Sequence, residues 1–163
     1  MSAKIKQVER EDTSALGDRV LMFRAGSGRY TLPLAIVVEV LEIAAPAAAV
    51  PGAPAWVAGM INHHGRVIPV LDMSTLAGGG VSPGATQVVL VELAGERMGL
   101  AVDQIESLEE ASLKVTGPVD ELGGRRAWHK GEMIEMFDGA ALLKAIERNL
   151  ERHGAEVDVL PRA

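Results

Sequence analysis

Four histidines carry most of the chemical potential of this sequence: His63, His64, His129 and His153. Imidazole serves as general base, as partner to a nucleophile or as metal ligand, so spacing decides which role is open. His63 and His64 are adjacent, and adjacent strand residues point to opposite faces, which predicts that they do not share one metal. No His-Glu-x-x-His pattern occurs. The absence of cysteine removes thiolate ligands, thiol catalysis and disulfides, and fits a reducing compartment. Asp72 and Asp103 each close an apolar run, where a carboxylate ordinarily turns or caps the chain. Glu39 interrupts Val37-Val38 and Val40-Leu41, either as a solvated position or as the charge partner of a neighbouring hairpin. With no nucleophile–base pair, ligand cluster or working carboxylate pair, the sequence predicts no enzyme activity, no cofactor and no bound metal.

The elements that must position these residues follow from apolar periodicity. Strand-like runs bounded by turn residues recur at the ~8–12-residue spacing of barrels and sandwiches. Val20 to Phe23 leads through Gly26-Ser27-Gly28 to the alternating Tyr30, Leu32 and Leu34, and then to Ile36 through Leu41. Val57 to Asn62 and Val67 to Leu71 flank a turn at His63-His64-Gly65, where glycine supplies a positive φ. Pro69, inside the second run, has no N–H for a ladder and predicts an edge strand. Val88 to Leu93 and Met98 to Val102 form a hairpin at Gly95-Glu96; Trp128 to Lys130 and Met133 to Phe137 form another at Gly131. Asp138 is placed to cap a helix over about 139–152, with Leu142, Leu143, Ile146 and Leu150 at helical spacing and Gly154 at its end. Residues 1–18 read as a flexible lead-in and 155–163 as a disordered tail. Gly78-Gly79-Gly80 with Pro83-Gly84 reads as a flexible connection; no Lys-Ser/Thr follows, which argues against a phosphate loop.

Sixteen basic against 22 acidic residues give a net charge of −6, so nucleic acid and anionic membrane, which need basic surface, are not expected partners. No signal peptide is visible. The uncharged stretch from Ala44 to Ile61 is interrupted by Pro46, Pro51 and Pro54, which predicts a loop rather than direct membrane insertion. The expected location is cytoplasmic.

The sequence also resembles itself. His64 to Asp72 lies over Lys130 to Asp138 at an offset of 66, and Arg29-Tyr30-Thr31-Leu32 lies over Arg97-Met98-Gly99-Leu100 at an offset of 68. A duplicated β unit predicts two lobes, about 19–76 and 87–137, with Gly65 and Gly131 at equivalent turns. The seam between lobes is a natural docking groove.

Four segments together resemble the CheW family. They are Leu21-Met22-Phe23 with Tyr30-Thr31-Leu32-Pro33-Leu34; Val38-Glu39-Val40-Leu41; Pro51-Gly52-Ala53-Pro54 through Gly59-Met60-Ile61-Asn62 to Gly65 and Val67-Ile68-Pro69-Val70-Leu71-Asp72; and Gly99-Leu100-Ala101-Val102-Asp103-Gln104-Ile105. The resemblance covers about residues 19–150. It implies an all-β fold over 19–154, two side-by-side five-stranded β-barrel lobes with a C-terminal α-helix. It also implies a non-catalytic adaptor that couples the cytoplasmic tip of a methyl-accepting chemoreceptor to the regulatory domain of a CheA-type histidine kinase. The partner-binding candidates it implies are Val37, Glu39, Gly59, Asn62, His64, Gly65, Arg66, Val67, Asp72, Gly99 and Asp103. The family's Asn-Leu-Arg-Gly hairpin reads Asn62-His63-His64-Gly65 here, and the family's arginine after Asp-Leu is missing, since Met73-Ser74 follow Asp72. Either His64 replaces the arginine that pairs with the glutamate matched by Glu39, so that docking strengthens as pH falls, or Arg66 supplies the charge. The alternatives are a divergent, Frz-like or receptor-only module without kinase coupling, and a small β-barrel ligand-binding protein or enzyme built on the His63–Arg66 turn.

Overall fold

In the computed structural model residues 19–43, 51–80, 85–110, 114–116 and 125–152 are described. The expected lead-in, tail and Gly154 cap lie outside them, as do 44–50 of the proline-rich loop and Pro83-Gly84 of the connection. The strands are β1 (Arg19–Ala25), β2 (Gly28–Pro33), β3 (Val37–Glu42), β4 (Val57–His63), β5 (Arg66–Asp72), β6 (Gln87–Leu93), β7 (Glu96–Val102), β8 (Gln104–Glu110), β9 (Lys114–Thr116), β10 (Arg125–His129) and β11 (Glu132–Met136). A short helix α1 (Met73–Leu76) follows β5, and helix α2 (Gly139–Arg152) ends the described chain. The all-β class with a C-terminal helix is therefore observed.

Three hairpins turn on the same chemistry. His64-Gly65, Ala94-Gly95 and Lys130-Gly131 have φ of 53/80, 52/80 and 50/83° and form two-residue loops between paired strands. Positive φ at both central residues is the type I′ pattern, whose twist matches that of the flanking strands. Gly65 and Gly131 thus occupy equivalent turns.

The strands form a six-stranded sheet, β8-β1-β2-β11-β10-β9, and a five-stranded sheet, β3-β6-β7-β5-β4. The expected closed five-stranded barrels are instead open, curled sheets, one with β9 as an added edge. Applying the repeat offsets turns the order β3-β6-β7-β5-β4 into β8-β1-β2-β11-β10. The registers agree too: Val70 pairs in parallel with Gly99, and their repeat equivalents Met136 and Thr31 pair in parallel as well. The duplication is real, but the expected lobes, 19–76 and 87–137, are not the sheets. Each repeat gives its first hairpin, β1–β2 or β6–β7, to the sheet built on the other repeat. Short sequence matches report strand order; which strands pair is decided by long-range burial.

Pro69 needs a related correction. β5 lies inside its sheet, between β7 and β4. The β5–β7 ladder covers only Val70–Asp72, however, so Pro69 pairs with Met60 on one side and precedes the ladder on the other. Its missing donor is tolerated because the unpaired edge is local to one half of the strand.

The main core lies between the sheets. Leu21, Phe23 and Leu32 from one sheet meet Val89, Val91, Leu100 and Val102 from the other, and α2 closes it with Leu142, Ala145 and Ile146. Each sheet also curls over a smaller cluster: Val38, Ile68, Val70, Val88, Leu90 and Ala101 in one, Met22, Ala127 and Ile134 in the other. Ile68 and Ile134, and Leu90 and Met22, are repeat equivalents. Asp138 caps α2 as expected, accepting from Ala141 N–H at 2.7 Å.

Candidate docking hairpin

β3 and β4 are opposite edges of the five-stranded sheet. The sheet nevertheless curls far enough for Glu39 Oε1 on β3 and His63 Nε2 on β4 to lie 3.0 Å apart. Glu39 reaches inward because the β3–β6 register shifts between Val37 and Glu39, a bulge that re-aims the side chain. His63 is buried, and Asn62 Oδ1 accepts from Gly65 N–H at 3.1 Å, fixing the turn. Because His64 sits in the left-handed region rather than on the strand, its ring folds back onto His63, with centroids 4.1 Å apart at 68°. This overturns two expectations. The residue hydrogen-bonded to Glu39 is His63 rather than His64, although a His64 ring nitrogen also lies within 4.8 Å of both. The two histidines also converge instead of pointing apart.

The other sheet has a His–Glu contact of its own, although Ser107 rather than a glutamate stands at the position equivalent to Glu39. His129 on β10 lies 3.6 Å from Glu109 on β8 through Nε2 and Oε1. The Glu109 carboxyl is held below its usual range, first by the hydrogen bond from Ser107, against desolvation, and then by the charges of His129 and Lys130.

The structure sorts the remaining candidates by exposure. Asn62, His64, Gly65, Arg66 and Val67 share the exposed tip of the β4–β5 hairpin, and Val67 is 64 % exposed. Val37, Gly59, Asp72 and Gly99 are buried and serve the scaffold. Val37 is core, and Gly59 sits at the β4–β5 register shift. Asp72 caps α1, its Oδ2 accepting from Thr75 N–H at 3.0 Å and from Thr75 Oγ1 at 2.6 Å. A Cβ on Gly99 would lie 2.6 Å from Val88 Cγ1. Asp103 is half-buried and belongs to the β1–β2 turn, where Oδ2 accepts from Gly26 N–H at 3.0 Å. Motif matching did not single out His63; the signal for it was the two-residue His64-Gly65 loop, which leaves His63 as the last strand residue facing inward.

Charge on the six-stranded sheet is laid across four neighbouring strands. Glu106 on β8 accepts from Arg24 of β1 at 2.7 Å and from Arg29 of β2 at 3.0 Å, and Arg29 also reaches Glu132 of β11 at 2.7 Å. Burial alone would raise the Glu106 carboxyl, but the hydrogen bonds and charges of Arg29 and Arg24 hold it below its usual range. An open cleft of about 440 Å³ beside these groups is lined by Arg29, Arg126, Glu132 and Glu135. Part of its charge is internally paired, which suits structural bracing better than substrate capture.

A CheW-like domain model matches residues 19–147. The chain belongs to the CheW-like family. It is 30 % identical over 109 residues to the probable chemotaxis protein CheW of Rhizobium etli, covering 65 % of this chain and 70 % of that one. It is 33 % identical over 89 residues to protein PilI of Pseudomonas aeruginosa, covering 53 % and 49 %. Among solved structures it is similar to the scaffolding protein TtCheW of Thermoanaerobacter tengcongensis, with a TM-score of 0.62 and 25 % identity, covering 74 % of this chain and 88 % of that one. No helix among the described residues of this CheW-like chain is long and apolar enough to cross a membrane.

Proposed function

We propose that this chain is a non-catalytic scaffold of a cytoplasmic chemosensory array, coupling the tip of a methyl-accepting chemoreceptor to the regulatory domain of a CheA-type histidine kinase. The observation that carries this reading is the β4–β5 hairpin. It presents Val67, 64 % exposed, between Arg66 and the folded core of its strand, beside exposed Asn62, His64 and Gly65. A large apolar side chain at the centre of a polar rim is the arrangement of an interface anchor. The Glu39–His63 contact fixes that hairpin against β3, so docking meets a preorganised surface and loses little entropy. The similarity to chemotaxis proteins CheW supports a receptor and a histidine kinase as the partner class. The buried family positions Val37, Gly59, Asp72 and Gly99 act by shaping this surface, not by touching a partner. The test is calorimetric titration of the purified chain with the kinase regulatory domain and, separately, with a receptor-tip fragment. Val67→Asp is expected to weaken at least one of them tenfold or more while leaving the melting temperature unchanged. Undiminished affinity for both would remove the hairpin from the interface; binding to the receptor tip alone would favour the receptor-only module.

A further inference from the structure

We infer that Glu39, His63 and His64 form a surface site for a divalent transition-metal ion of the zinc class. Each of the three offers a ligand atom, and these atoms all lie within 4.8 Å of one another. Glu39 Oε1 and His63 Nε2 are 3.0 Å apart, less than twice the Zn–N and Zn–O bond lengths of about 2.0–2.2 Å, so both can bind one ion with almost no movement. His64 is an exposed residue on a turn, free to swing its ring the remaining distance. Two imidazoles and a carboxylate suit Zn²⁺, Ni²⁺ or Cu²⁺ rather than Mg²⁺ or Ca²⁺, which favour all-oxygen sets. Three protein ligands leave a fourth position open toward solvent at the hairpin tip.

The second repeat lacks this ligand set: Ser107 and Lys130 stand at the positions equivalent to Glu39 and His64, and His129, equivalent to His63, lies 3.6 Å from Glu109 instead. The cationic Lys130 side chain supplies no ligand and repels a metal ion. His64 is therefore the residue that completes the ligand set.

The site also has a mechanical consequence. Glu39 is on β3 and His63 on β4, the two edges of one sheet. A bound ion would staple those edges, converting the open sheet into a closed one at its rim. The proposal does not depend on the adaptor reading.

The experiment is titration of the metal-free full chain with ZnCl₂, followed by calorimetry and by thermal unfolding. One ion per chain is expected, with the melting temperature rising about 5–10 °C at a hundredfold excess over Kd. His64→Asn keeps a residue that tolerates the left-handed turn and forms a favoured type I′ Asn-Gly pair, so it isolates the ligand from the fold. His64→Asn and Glu39→Gln should each weaken zinc binding at least tenfold, while His129→Asn and His153→Asn should leave it unchanged. Resonances of His63 and His64 should shift on saturation. Absence of one-to-one binding overturns the proposal. So does binding that survives both His64→Asn and Glu39→Gln, or that disappears with His129→Asn or His153→Asn.

Discussion

Gly99→Ala separates a shaping residue from a contact residue. Gly99 lies in β7 with Val88 and Val70 of the neighbouring strands packed over it. An added methyl would sit 2.6 Å from Val88 Cγ1 and 3.3 Å from Val70 Cγ2, where carbon contacts normally settle near about 3.5–4.0 Å. Both neighbours are β-branched and stiff at χ1, so relief requires strand movement rather than rotation of a flexible chain. Overpacking of this kind costs about 1–3 kcal/mol, which for a chain of this size lowers the melting temperature by about 2–12 °C. Calorimetric unfolding of Gly99→Ala, Val88→Ala and the double variant measures it. The double variant should be more stable than the sum of the single effects, by about 1 kcal/mol or more, because the smaller side chain makes room for the methyl. Partner affinity, corrected for the folded fraction, should be unchanged. An unaltered melting temperature, or lost affinity in a fully stable Gly99→Ala protein, would refute the packing argument.

Asp72→Ala should lower stability by about 1–2 kcal/mol through loss of the α1 cap, read as a lower urea midpoint, with Asp72→Asn losing less because it keeps an acceptor. Leu142, fully buried between α2 and the sheets, should cost about 2–5 kcal/mol on change to alanine, again by urea unfolding. Glu106, whose carboxyl is depressed in the folded chain, contributes stability that is present above its unfolded pKa of about 4.3 and is lost as pH falls through its folded value. The urea midpoint should therefore drop as acid is added below about pH 4.3, and Glu106→Gln should start lower at neutral pH and fall less steeply.

Much of the fold was legible because local rules wrote it. The runs at Val20–Phe23, Val88–Leu93 and Met98–Val102 became strands, Asp138 capped its helix, and Gly65 and Gly131 took equivalent turns. The repeat was legible too, but its consequence was not. Nothing local tells β1–β2 to pair with β8 and β11, because that choice depends on burying Leu21, Phe23 and Leu32 against the opposite sheet. Pro69 misled for the same reason: an edge can be half a strand long. At the site, the family resemblance located the hairpin but offered His64 or Arg66 as the partner of Glu39, where the contact is made by His63. The sequence reads as a turn at His63-His64-Gly65, whereas the loop has only two residues, with His64 at φ 53°, and leaves His63 as the last strand residue, facing inward. The short helix α1 is too brief to leave a periodic signal.

The most direct test of the central claim is reconstitution of receptor-tip fragments, a CheA-type kinase and this chain on a template that clusters the receptors, with kinase autophosphorylation and co-sedimentation as readouts. The scaffold account expects kinase to sediment with receptors, and to be regulated by them, only when the wild-type chain is present, with Val67→Asp failing to substitute for it. Kinase recruitment and activity that are the same with and without the chain would contradict it.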